Sequence, residues 1–79
     1  MARYYFHLRD GQDVLLDPEG REIGDISQIP ALALKDARSM ISQDALAGKI
    51  RLDQSIDVLD MSGKVVHHLP FRDAISIIE

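Results

Sequence analysis

The segment from Ser27 to Ala47 constrains this chain more than any other, because only it is long and periodic enough to form a substantial helix. At about 100° per residue, Ile29, Ala33, Leu34, Ala37, Met40 and Ile41 share one face. Lys35, Asp36, Arg38, Ser39, Ser42 and Gln43 fall on the other sides. The stripe is rich in alanine, so a sheet can approach it closely. Two N-caps compete. Ser27 offers a hydroxyl to an orphan amide of the first turn, and Asp25 would start the helix two residues earlier. With Ser27 as cap, Pro30 is the third helical residue, where its missing N–H costs nothing. Gly48 followed by Lys49 is the stop signal, a left-handed C′ glycine and a cation at the negative end of the dipole. Leu32 and Leu46 project onto the polar side, and Asp44 projects near the apolar one. Scattered exposed leucines are ordinary. Leu32 and Leu46 are also where a second subunit or a partner would touch, which makes them candidate contact residues.

The flanking segments read as strands. In residues 2–8, Ala2, Tyr4, Phe6 and Leu8 share one face and Arg3, Tyr5 and His7 the other, the pattern of a half-buried strand. Asp10-Gly11 signals a tight hairpin turn. A second strand runs through Val14, Leu15 and Leu16. Asp17-Pro18-Glu19-Gly20 is a further turn. Arg21-Glu22-Ile23 either adds a short third strand or continues the second past a bulge. After the helix, Ile50 and Leu52 are expected to tuck inward from a loop. Ser55–Asp60 and Val65–Leu69 are strands joined at Asp60-Met61-Ser62-Gly63. Pro70 ends the pairing or marks an edge, and Phe71, Ala74, Ile75 and Ile78 have the spacing of a short helical turn. The order is ββ-α-ββ: an α+β fold with a small antiparallel or mixed sheet, one face packed on a single main helix. Residues 1–79 form one domain.

With 79 residues, such a chain buries about 60% of its unfolded surface and has a stability on the order of 4–12 kcal/mol. Dimerisation would add buried area. The composition, 46% hydrophobic and 28% charged, argues against disorder. The chain has no cysteine, which excludes disulfides and thiolate metal sites. The opening Met-Ala-Arg-Tyr-Tyr-Phe-His lacks the apolar run of a signal peptide, and no stretch could span a membrane, so a cytoplasmic location is expected. A net charge of −4 speaks against a nucleic-acid partner, whose phosphates are met by lysine and arginine.

The opening Arg3-Tyr4-Tyr5-Phe6-His7, the Asp10-Gly11 turn, Asp17-x-Glu19-Gly20 and the closing Pro70-Phe71-Arg72-Asp73-Ala74 resemble DUF6894, a family of small proteins of unknown function common in alphaproteobacteria such as rhizobia. The resemblance covers nearly the whole chain and implies no activity. Pro30 departs from the run of helix formers usual there. The first half is also similar in pattern to the antitoxin component of HicA–HicB systems, in which a hairpin with an acidic turn precedes an alanine-rich helix. Such a likeness of pattern does not carry function.

His7, His67 and His68 are the only histidines. If Val65, Leu69 and Phe71 face the helix, His68 points outward and lies near His7 and Tyr5. Val66/His68 and Val65/His67 are competing registers for that strand. Two histidines with a carboxylate such as Asp57 are a conceivable zinc set, although exposed histidines without a ligand are the commoner case. The acids from Asp13 to Asp25 do not match the register of a calcium loop. No serine stands in a nucleophile context, no glycine-rich phosphate loop is present, and the aromatics are too few for a stacking platform. These absences point away from an enzyme, a cofactor or a small-molecule substrate. The expected function is a non-enzymatic protein-interaction or self-associating module, with a homodimer as the self-associated form that satisfies its exposed face. Its candidate contacts are Tyr5, His7, His68, Leu32 and Leu46. An antitoxin-like protein masking a basic partner and a small metal-binding protein are the alternatives.

Overall fold

β1, Ala2–Asp10, is the long strand with which β2, β3 and β4 all pair. The computed structural model describes residues 2–78. In chain order the elements are β1, β2 (Asp13–Leu15), β3 (Arg21–Ile23), α1 (Ile29–Leu46), β4 (Gln54–Leu59) and β5 (Val65–Pro70). All strand pairings are antiparallel, and the sheet order is β2-β1-β4-β5. β3 pairs with β1 on the same edge as β2. The expected ββ-α-ββ layout therefore holds, with the second strand split in two.

The split answers the question left at Arg21. β2 pairs with residues 8–10 of β1, and β3 with residues 2–4. Between them, residues 16–20 run past Tyr5, Phe6 and His7 without ladder pairing. The first hairpin is also shifted from its expected centre. Asp10 pairs with Asp13, so Gly11 and Gln12 form the turn. Only Gly11 has positive φ there, which is the type II′ arrangement.

α1 is entered through a 3₁₀ turn, Ile26–Gln28. Asp25 is its cap and accepts from the Ser27 N–H at 3.0 Å and from Ser27 Oγ at 2.8 Å. Ser27 is thus the capped residue and not the cap, because it lies inside the 3₁₀ turn that Asp25 opens. Pro30 follows Ile29 in the first turn of α1, where no N–H is needed. At the other end the N–H of Gly48 meets the Ala45 carbonyl and that of Lys49 meets Asp44, a Schellman closure.

Ile29, Ala33, Ala37 and Ile41 of α1 are buried against Ile23, Ile56, Val58, Phe71 and Ala74. α1 lies over β4 and β5. The 3₁₀ turn Phe71–Asp73 closes the end of this core, and Arg38 Nε holds it by donating to the Ala74 carbonyl at 2.8 Å. Leu52 packs against the core as expected, while Ile50 is exposed. Ile78, placed on the apolar side of the tail by its spacing, is 91% exposed, since the turn ends before reaching it.

Neither register expected for the last strand runs through it. His67 pairs with Val58 and Val65 with Leu59, so Val66 is an extra residue. The bulge turns Val66 inward against the core, leaves Val65 half exposed, and keeps His68 on the outer face opposite Asp57.

Candidate interaction surfaces

The outer face of the sheet is opposite α1, and no helix or strand covers it among the described residues. Strand alternation puts Tyr5, His7 and Arg9 of β1 there, with Asp57 of β4 between the inward Ile56 and Val58. Register sets His7, Asp57 and His68 in one row across three strands. The Tyr5 and His7 rings stack with centroids 6.3 Å apart.

Asp57 is only 7% exposed although its face is open. Arg9 Nε donates to its Oδ2 at 2.5 Å, and His68 Nδ1 lies 2.5 Å from its Oδ1. Burial pushes the Asp57 carboxyl up. The hydrogen bonds from His68 and Arg9, with their charges, outweigh that and hold it below the ordinary aspartate range. The contact with an ionised Asp57 requires the proton of neutral His68 to be on Nδ1. His7 takes the opposite tautomer. Its Nδ1 accepts the Asp17 N–H at 3.0 Å, so in neutral His7 the proton is on Nε2.

Asp17 is the fastening of the split strand. Its Oδ2 accepts from the Phe6 N–H at 3.2 Å. Its Oδ1 accepts from Gly20 at 3.1 Å and Glu19 at 3.2 Å. The carboxylate thereby stands in for the ladder partner that β1 lacks at Phe6. Partial burial raises the pKa of Asp17, but the N–H groups of Gly20, Phe6 and Glu19 and the Arg21 charge bring it below the usual value. Arg3 adds a hydrogen bond to the Glu19 carbonyl at 2.5 Å. Gly20 has φ 71°, and a Cβ there would lie 2.9 Å from the Tyr4 carbonyl oxygen and 3.0 Å from side-chain carbons of Arg3 and Tyr5. Glycine is required by both torsion and space.

A groove of about 360 Å³ opens between α1 and this edge. Phe6, Leu8 and Met40 line its floor, and Leu15 and Leu16 form its lip. Asp17, Glu19, Arg21 and Asp36 stand around it. Arg21 pairs with Asp36, and its guanidinium lies 4.4 Å from the centroid of the Phe6 ring.

Of the candidate contacts, Tyr5, His7 and His68 share the outer face. Leu46 is 88% exposed at the far end of α1. The placement of Leu32 on the polar side is corrected. Leu32 is half-buried and packs against the core, because the core wraps around α1 beyond the stripe that a 100° projection draws. His7, Asp57 and His68 share a row but do not converge. His7 is turned to the Asp17 backbone, and among the described residues no three His, Asp or Glu side chains gather as a metal site. Sequence reasoning missed Arg9, Asp17, Arg21 and Asp36. Only Asp17 had a local signal: Asp-Pro-x-Gly is a turn in which the aspartate accepts from residues two and three ahead.

The split edge, the five-stranded sheet and the single crossing helix define a small two-layer α+β protein with one sheet face uncovered among the described residues. The profile of a family described as a domain of unknown function, DUF6894, matches residues 3–72, and the chain belongs to that family. No curated protein and no solved structure matches it. No helix among the described residues is long and apolar enough to cross a membrane.

Proposed function

We propose that this chain is a non-enzymatic association module that meets a second copy of itself or another protein through the outer face of its sheet. The observation that carries the reading is the uncovered face centred on Tyr5, His7 and His68. Its scale is set by surface area. A compact 8.8 kDa monomer exposes about 4,800 Å², whereas this chain exposes 5649 Å². The excess is close to the roughly 800 Å² that each partner contributes to a standard interface. The thinnest dimension, 17 Å, fits one helix layer on one sheet and nothing beyond. The test is light scattering on a sizing column over a range of concentrations, for the native chain and a Tyr5→Ala/His7→Ala variant. A concentration-dependent oligomer that the variant loses supports the reading. An oligomer unchanged in the variant removes the outer face from it.

A second reading, an antitoxin-like or regulatory protein masking a basic partner, is favoured by the net charge of −4. It predicts a complex that weakens strongly with added salt, and a salt-independent complex counts against it.

A further inference from the structure

We propose that the groove between α1 and the β2–β3 edge receives an extended segment of a partner protein that places an apolar side chain beside a lysine or arginine. The inference rests on the reading of the chain as a binding module and names a second surface and the chemistry it meets.

The groove is apolar where it is deep and anionic where it opens. Leu15 and Leu16 are 70% and 65% exposed at its lip, beside Phe6, Leu8 and Met40. An entering aliphatic side chain would cover apolar surface that the fold itself leaves wet. Three carboxylates, Asp17, Glu19 and Asp36, face one guanidinium, Arg21. These charges are not equally available. Arg21 is committed to Asp36 and to the Phe6 ring, and Asp17 to three backbone N–H groups. The Glu19 carboxylate has no hydrogen-bond or ion-pair partner among the described residues. A cation entering the groove therefore meets an uncompensated charge, and an anion is repelled. The volume of about 360 Å³ is near the lower bound of ligand pockets, about 300 Å³, which suits one or two side chains of a segment. Its backbone has a place too, since β2 is the last strand on its side of the sheet and offers an unpaired edge along Asp13–Leu15.

The test is a titration of isotope-labelled full chain with three short synthetic peptides, alternating leucine with lysine, leucine with glutamate, and serine with lysine. The leucine–lysine peptide is expected to bind saturably, to shift the amides of Leu8, Leu16, Gly20 and Met40, and to leave those of Asp57 and His68 in place. Leu16→Ala and Glu19→Lys, both at exposed positions, should each weaken it by roughly tenfold or more. No binding, equal binding of the leucine–glutamate peptide, shifts confined to the outer face, or full affinity in both variants would overturn the proposal. Association through the outer face is read separately, by the Tyr5→Ala/His7→Ala variant, so either surface can fail while the other stands.

Discussion

The two flanks of this sheet carry similar apolar sequence and meet opposite fates. Ile56 and Val58 in the β4–β5 half are 2% and 0% exposed, whereas Leu15 and Leu16 at the other flank are 70% and 65% exposed. Width explains the difference. A helix is about 10 Å across and strands are spaced about 4.8 Å apart, so one helix shields about two strands. The sheet is four strands wide, and α1 lies over β4 and β5. The β1–β2 half of the same face is left to the groove. A run of apolar residues announces a strand, but the number of helices decides how many strands can be dry.

Substitutions should separate the flanks sharply. Phe71→Ala, in the fully buried core, should cost about 3–5 kcal/mol, a large share of the total for a domain this size. Leu15→Ala, by the same chemical unfolding measurement, should change stability by less than about 0.5 kcal/mol. Equal costs would break the comparison. Gly20→Ala tests whether the edge is held as firmly as the core. Strain and collision with the Tyr4 carbonyl together should cost roughly 2–4 kcal/mol.

Asp17→Ala, which orphans the Phe6 N–H, should cost about 2 kcal/mol, also read from the urea midpoint. Acid sharpens the same point. Asp17 and Asp57 both have folded pKa values below their unfolded ones. Their contribution is complete above the unfolded value of about 4 and is lost as pH falls through the lower folded values. Asp57→Asn and Asp17→Asn should therefore flatten the fall of melting temperature below about pH 4. A smaller effect than at Asp17 is expected at Arg38→Ala, which frees the 3₁₀ turn from α1 at a cost of about 1 kcal/mol. Faster amide exchange at Ala74 would report it.

The sequence was most legible where one short-range rule acted alone. The 3.6-residue period gave Ile29, Ala33, Ala37 and Ile41, and the Gly48 stop matched the Schellman closure. The facing of the last strand was not readable: two registers competed there, and the bulge at Val66 combines parts of both. Bulges depend on how two distant strands align, and Val65-Val66-His67-His68 carries no breaker to mark one. Arg9 and Asp57 lie 48 positions apart and meet only because β1 pairs with β4 in this register. The groove had no local signature for the same reason. It is the remainder left when one helix is laid over a sheet wider than itself.

The Asp17 fastening has a consequence for the chain in a crowded solution. A nine-residue strand such as β1, flanked by an equally long unbroken neighbour, would present a straight row of free amides and carbonyls to any passing copy. Such rows template fibres. Here the row is cut into two three-residue lengths separated by a glycine and a proline. On the opposite side of the sheet, Pro70 blunts the end of β5. One aspartate thus lets the protein keep a long central strand without offering its neighbours a seed for endless stacking.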